Sequence, residues 1–454
     1  MNQHTFNYHI FPEKGFLNDP NGLVQFKGKY HVFHQWLEEL TPQGPKCWGH
    51  YVSTDLIHWK DQGIALYPDS WYDKNGVYSG SAIVDGDTLY LFYTGNVRNA
   101  NGKRETYQCL ATSEDGINFK KHGPIIEVPK GYTAHFRDPK IWEDKERNCW
   151  WMVIGAQTDN LKGNVALYRS FDLVGWEYKG SILPENMNWG YMCECPDLIE
   201  LQSNYFLLVS KQEKKTINNE EIDQSTAVYL PGDFSQEISS YTPLSEGIKL
   251  DEGFDYYAPQ TFLDDKGRRL LFAWMGGGEK DYQLSQPTVS DGWLHGLTIP
   301  RELVVVGDKL YQRPVEELAS LRSNKREWTV DKEETKQEFT SKSLELFVEN
   351  RDHGNMEIDL FHGVKLYYDS SNHSVTIKRQ NWLTSQYDTN CFRLENALVT
   401  CHIFIDCSSV EIFINHGEKV LTMRSYFEEK NNQIVFKSCT CLKIAVWDLV
   451  MEEV

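Results

Sequence analysis

Positive charge is what this sequence is short of. Against 65 Asp and Glu stand only 46 Lys and Arg, a formal net charge of −19. Nucleic acids and anionic membranes are gripped by Lys and Arg patches, so neither is expected as a partner. Long apolar runs are missing too: nothing approaches the ~20 residues that a membrane-crossing helix needs. Met1 to Ile10 has no basic segment followed by an apolar one. No secretory signal is read there, and a cytoplasmic location is expected. Ten cysteines are scattered along the chain, with no C-x-x-C pair and no His cluster at ligand spacing. Cys193/Cys195 and Cys439/Cys441 are i,i+2 pairs, a poor match to zinc spacing, and reduced cytoplasmic thiols fit better. No metal and no cofactor is expected.

Aromatic rings, by contrast, are abundant, with 14 Trp and 24 Tyr. Sugar clefts use such faces, and β-sheet cores use them more often. At 454 residues the chain is long for one core, which favours two domains. An aromatic-rich apolar strand behind a turn recurs at Gly28–Phe33, Asp87–Tyr93, Cys149–Ile154, Asn204–Val209 and Arg269–Trp274. The five copies stand roughly 55 to 65 residues apart. A second motif rides with them: Ser53-Thr54-Asp55, Ser113-Glu114-Asp115 and Ser170-Phe171-Asp172, each with an aromatic four residues after the Asp. Its Ser and Asp suit a side-chain-capped turn ahead of a strand.

A period near 60 with few helix signals predicts an all-β architecture, a five-bladed β-propeller over residues 1–312. A many-stranded sandwich competes but does not explain a five-fold recurrence. Pro314 to Arg322 has helical spacing and predicts a short helical connector over 313–325. From 326 to 454 short alternating segments, among them Ser343–Val348, His402–Asp406 and Val410–Ile414, predict an antiparallel β-sandwich. That domain extends the cleft, buttresses the propeller or gives a surface for a homo-oligomer.

Turns containing Asp19-Pro20, Ser79-Gly80-Ser81, Asp138-Pro139, Glu194-Cys195-Pro196 and Ala258-Pro259 precede the five aromatic strands. Proline cannot donate to a sheet, so these turns are expected at the starts of channel-lining strands. In register, Asp19, Asp138 and Glu194 then face one space. Any single Asp-Pro is read first as a capped turn; three in phase with a repeat point to a site. Three convergent acids either bind a hard cation or cleave a glycosidic bond. Arg137 beside Asp138 predicts an ionised carboxylate there, and the apolar neighbours of Glu194 predict a raised pKa suited to a general acid.

These residues carry a resemblance. Leu17-Asn18-Asp19-Pro20-Asn21-Gly22, Tyr78-Ser79-Gly80-Ser81-Ala82, Phe136-Arg137-Asp138-Pro139-Lys140, Glu194-Cys195-Pro196-Asp197-Leu198 and Tyr257-Ala258-Pro259-Gln260 resemble glycoside hydrolase family 32. Leu297–Leu303 and Ile405–Phe413 extend the likeness over nearly the whole chain. The resemblance implies a five-bladed propeller with a C-terminal sandwich and a retaining double displacement on a β-D-fructofuranoside. It makes Asp19 the nucleophile, Glu194 the acid/base and Asp138 the acid that grips the fructosyl hydroxyls. Asn18, Gln35, Trp48, Ser79, Arg137, Asp255 and Trp274 fall where the family places sugar contacts. The chain departs from the family at Trp36–Lys46 and at Phe16-Leu17, which touches the pocket rim and leaves substrate choice open.

The expected partner is a small sugar: sucrose 6-phosphate or sucrose, or alternatively short fructans cut by an exo-acting fructosidase. A phosphate needs a local base, and Lys46 or Arg104 can reach the rim. An arabinanase-like hydrolase and a non-catalytic sugar-binding propeller are the remaining readings, and the intact acids argue against the second.

Overall fold

The structure, a computed structural model, describes residues 3–41, 43–184, 187–217, 220–235, 237, 239–331 and 333–452. The chain ends expected to close the two domains, 1–2 and 453–454, lie outside these residues. The first two-thirds fold into five antiparallel sheets, each entered through an inner strand: Gly15–Phe26, Val77–Asp85, Tyr132–Asp144, Met192–Leu201 and Tyr257–Leu263. Each inner strand lies beside the next, and Tyr257–Leu263 returns against Gly15–Phe26, so the five close a ring. This is a five-bladed propeller.

The aromatic repeat is the second strand of every blade: Lys29–Leu37, Thr88–Arg98, Cys149–Thr158, Asn204–Ile217 and Arg269–Met275. Packed on both faces between neighbouring blades, these strands read as nearly continuous apolar runs. Leu89, Leu91, Phe92 and Tyr93 are all buried. The Ser-x-Asp motif joins the third strand to the fourth in blades one to three. Asp55 Oδ1 accepts from the backbone N–H groups of Ile57 and His58 at 3.0 and 2.8 Å. Asp115 and Asp172 make the same pair of bonds in their blades. One sequence motif thus builds one turn three times.

The prolines sit elsewhere than expected. They do not begin the inner strands but lie inside them, at pairing irregularities between Leu17 and Pro20, Glu194 and Asp197, and Tyr257 and Gln260. Asp138, Cys195 and Ala258, each just before its proline, have φ of 65°, 46° and 48°. A non-glycine residue there costs about 1–2 kcal/mol. The inner strand of a blade is an edge, which tolerates proline's missing donor, and a bulge turns its side chains toward the axis.

Past the fifth blade, Glu316–Leu321 forms a 3-10 helix where a helix was expected. Two six-stranded antiparallel sheets follow, starting with Arg322–Asp331, and enclose an apolar core that includes Leu346, Ile358, Ile403 and Ile444. The sandwich is bound to the propeller by buried polar contacts. His9 lies 2.7 Å from Asp406 and 2.9 Å from Glu411, and Glu411 also pairs with fully buried Arg301.

Candidate active site

The acids emerge at the bulges of three inner strands, Asp19 and Glu194 toward the N-terminal ends and Asp138 midway along its strand. Asp19 is held by two donors: Asn18 Nδ2 at 3.0 Å on Oδ1 and Ser79 Oγ at 2.7 Å on Oδ2. Gln35 donates to Ser79 Oγ at 2.6 Å and accepts from Asn18 at 3.3 Å, so blades one and two jointly fix this carboxylate. Asn21 ties the same bulge across the blade boundary. It accepts from the Gly80 N–H at 3.1 Å and donates to the Asp19 carbonyl at 3.0 Å. Donors on both oxygens fix the orientation of this carboxyl group.

Asp138 is buried and accepts from the Cys195 N–H at 3.0 Å, while its own N–H donates to Thr94 Oγ1 at 3.0 Å. Glu194 is held from two sides. Arg137 grips Oε1 with two nitrogens, and Oε2 accepts from Tyr257 OH at 2.6 Å and Gln212 Nε2 at 2.7 Å. The Asp138 backbone bond to Cys195 places it one residue from Glu194. Asp138, Asp19 and Glu194 all raise the pKa of the Cys195 thiol, behind burial as the first cause. The trio converges on one place.

One electrostatic expectation is reversed. Arg137 is 3.9 Å from Asp138 but bonded to Glu194, so its charge is spent mainly on the glutamate. Burial, opposed by Arg137 and reinforced by Glu194, then Asp19, raises the Asp138 pKa to about 7. Asp138, not only an acid among apolar neighbours, is where this site keeps a proton near neutrality.

Among the expected sugar contacts, Asn18, Ser79 and Arg137 bond the acids directly, and Gln35 is linked to Asp19 through Ser79 and Asn18. The other three make no such bond. Trp48 is fully buried between blades one and two, its indole N–H donating to the Tyr78 carbonyl at 3.1 Å. Asp255 faces the sandwich, accepting from Arg379 at 2.8 Å and from the Arg424 N–H at 2.9 Å. Trp274 packs beside Phe16 and His295 and keeps a 9% exposed edge. Tyr257, Gln212 and Thr94 were not picked out as site residues. Tyr257 belongs to a quoted motif, whereas Gln212 and Thr94 are polar residues inside strands with no local mark. Lys46, placed at the rim as a candidate phosphate base, instead feels all three acids, though burial is the larger influence and lowers its pKa. Its Nζ lies 5.6 Å above the Phe16 ring.

A cavity of about 1000 Å³ opens at the opposite ends of the same inner strands, lined by Lys140, Asp197, Thr261 and Arg269 among others. Lys140 and Asp197 pair across it at 3.2 Å, so it is the far mouth of the propeller axis and not the acid pocket. Among the described residues no cluster of His, Cys, Asp and Glu is arranged to hold a metal ion.

The model of the Glycosyl hydrolases family 32 N-terminal domain matches residues 9–314, and that of the Glycosyl hydrolases family 32 C terminal matches 317–448. A sucrose-6-phosphate hydrolase of Bacillus subtilis (strain 168) is 42% identical over 98% of this chain and 94% of its own length. The structure of sucrose-6-phosphate hydrolase from Lactobacillus gasseri superposes with a TM-score of 0.88 at 28% identity, covering 99% of this chain and 94% of that one. A Bombyx mori beta-fructofuranosidase gives 0.85 at 30% identity with the same coverage, and a mutant of it was solved in complex with sucrose.

Proposed function

The chain belongs to glycoside hydrolase family 32, and from that premise we propose that it hydrolyses sucrose 6-phosphate as a retaining β-fructofuranosidase in the cytoplasm. The observation that carries the reading is the unequal support of the carboxylates. Asp19 is surrounded by neutral donors from two blades, whereas Glu194 is gripped by Arg137, Gln212 and Tyr257 from three elements.

In this reading Asp19 attacks the anomeric carbon of the fructosyl unit while Glu194 protonates the glycosidic oxygen of the departing sugar. The resulting fructosyl ester on Asp19 is released when Glu194, now a base, takes a proton from water. Asp138 receives fructosyl hydroxyls and steadies the oxocarbenium-like charge that develops on the ring. Asn18, Gln35 and Ser79 orient the nucleophile so that it enters in line.

Sucrose 6-phosphate is favoured over sucrose because the 42%-identical relative with that name spans nearly the whole chain. Phosphorylated sugars are retained inside cells, which is why a cytoplasmic site fits; among the described residues no helix is long and apolar enough to cross a membrane. Comparing kcat/KM on sucrose 6-phosphate, sucrose and kestose tests this. The phosphorylated sugar is expected to lead by at least about tenfold, the value of one good charge-assisted contact. Equal or faster cleavage of either unphosphorylated sugar contradicts the substrate but leaves the chemistry standing.

A further inference from the structure

The far mouth of the propeller axis holds a charge that the fold leaves unspent. Its floor is a layer that crosses the axis beyond the acids. Lys140 stands two residues past Asp138, Asp197 three past Glu194 and Thr261 three past Ala258. Asp197 is 1% exposed, and its Oδ2 carries the layer. That oxygen accepts from the Thr261 N–H and Oγ1, each at 2.9 Å, and pairs with Lys140 at 3.2 Å. Lys140 donates in turn to the Thr261 carbonyl. The pair of Lys140 and Asp197 is thus complete and neutral.

Arg269, which begins the second strand of blade five, adds another cation to the same cavity wall. Among the described residues its side chain makes no hydrogen bond and no ion pair, and its Nε is buried without a partner. Asp197 Oδ1 is likewise unpartnered, yet the two groups do not meet. Burial lowers the pKa of Arg269 against the pull of Asp197. Burial first, and then Arg269, lowers that of Lys140, again with Asp197 opposing. The three charges therefore share one small space, two cations against one carboxylate. Charge taken out of water is costly unless it is paired. In a chain with 19 more acids than bases, a guanidinium left without a counter-ion stands out.

The wall beside it suits a small organic body. Trp142 and Tyr205, both half-buried, line the cavity and each meets Phe234 edge to face. Ring faces take the apolar side of a small molecule while a few polar groups orient it. The lip limits the ligand's charge, since Glu143, Glu146, Glu200 and Asp265 are exposed there against Lys145 and Arg147. An excess of negative charge at the entrance disfavours a dianion more than a monoanion. We propose that the far mouth binds a small organic monocarboxylate, its carboxylate on the Arg269 guanidinium and its body against Trp142 and Tyr205. Paired N–H groups of a planar guanidinium match the two oxygens of a carboxylate. The cavity, at about 1000 Å³, has room for such a molecule. This second site does not depend on what the acids cleave.

The probe is D-gluconate, with D-glucose as its uncharged counterpart. Equilibrium dialysis against wild type is expected to show one gluconate per chain, bound at least about tenfold more tightly than D-glucose. The affinity is expected to fall at least about tenfold in Arg269→Met and less in Arg269→Lys, which keeps the charge but not the paired N–H groups. A crystal of wild type grown with D-gluconate is expected to place the carboxylate on Arg269, a location that needs no variant to fold. Absence of binding to wild type overturns the proposal, as does gluconate found among Asp19, Asp138 and Glu194 or anywhere else away from Arg269. Equal affinity in wild type and Arg269→Met overturns it as well. Inorganic phosphate bound at the same place as tightly as gluconate overturns the assignment to a monocarboxylate. A mouth without gluconate in which Arg269 has closed onto Asp197 shows that the guanidinium already has its partner, and no ligand is then called for.

Discussion

Asp138 keeps its proton to about pH 7, because burial and two neighbouring carboxylates disfavour its charge. In the unfolded chain the same group ionises near pH 4. Between those values the native state holds a proton that the unfolded state has released, so stability falls as pH rises through the window. Asp138→Asn removes the titration and a negative neighbour of Glu194. The variant is expected to melt a few degrees above wild type at pH 8 and close to it at pH 4.5. Its kcat is expected to fall about 10²- to 10³-fold, as when one preorganised contact to developing charge is lost. Thermal melts at the two pH values, with kinetics on sucrose, check both. A variant less stable at pH 8 than wild type contradicts the account of this proton.

At the scale of the element, legibility followed locality. The Ser-x-Asp turns were readable because Asp55, Asp115 and Asp172 cap backbone within three residues of themselves. The aromatic second strands were readable because burial on both faces leaves a continuous apolar run. The acids were readable as a set because the repeat places them in phase. What sequence could not give is direction. Arg137 follows Phe136 and precedes Asp138 in the chain, yet the bulge turns its guanidinium to Glu194 in the next blade. Sequence adjacency therefore misjudged which acid it neutralises. Trp48 and Asp255 lie in conspicuous motifs, but one is locked in a core and the other is consumed by Arg379 of the sandwich. Gln212 and Thr94 reach the acids only through strand pairing, which no short window records. The prolines were placed a few residues too early, since an edge strand with a bulge accommodates them internally.

The whole molecule depends on a junction that titrates. His9 is buried against Asp406 and Glu411; burial alone would lower its pKa, but the two carboxylates outweigh it and raise the value to about 9. A raised histidine contributes fully below its unfolded pKa near 6.5 and loses that contribution as pH climbs through about 9. Wild type is expected to lose stability between pH 6.5 and 9.5. His9→Gln should start lower by about 3–5 kcal/mol, leaving two buried carboxylates one partner short, and should lose the slope. Denaturant titrations across that range check it, and an unchanged slope in the variant contradicts the assignment. The junction also bears on function, because Asp255 fixes Arg379 and Arg424 close behind the inner strand that carries Tyr257.

Binding, specificity and pH response all presuppose that the fructosyl group passes through an ester on the first blade's aspartate. Early-time proton NMR of sucrose turnover, recorded before the released ketose mutarotates, reports that directly through the anomer that appears first. The β-furanose leading is the outcome expected of two successive inversions. The α-anomer appearing first means that water attacks in a single step, and it contradicts the assignment of Asp19 as the nucleophile.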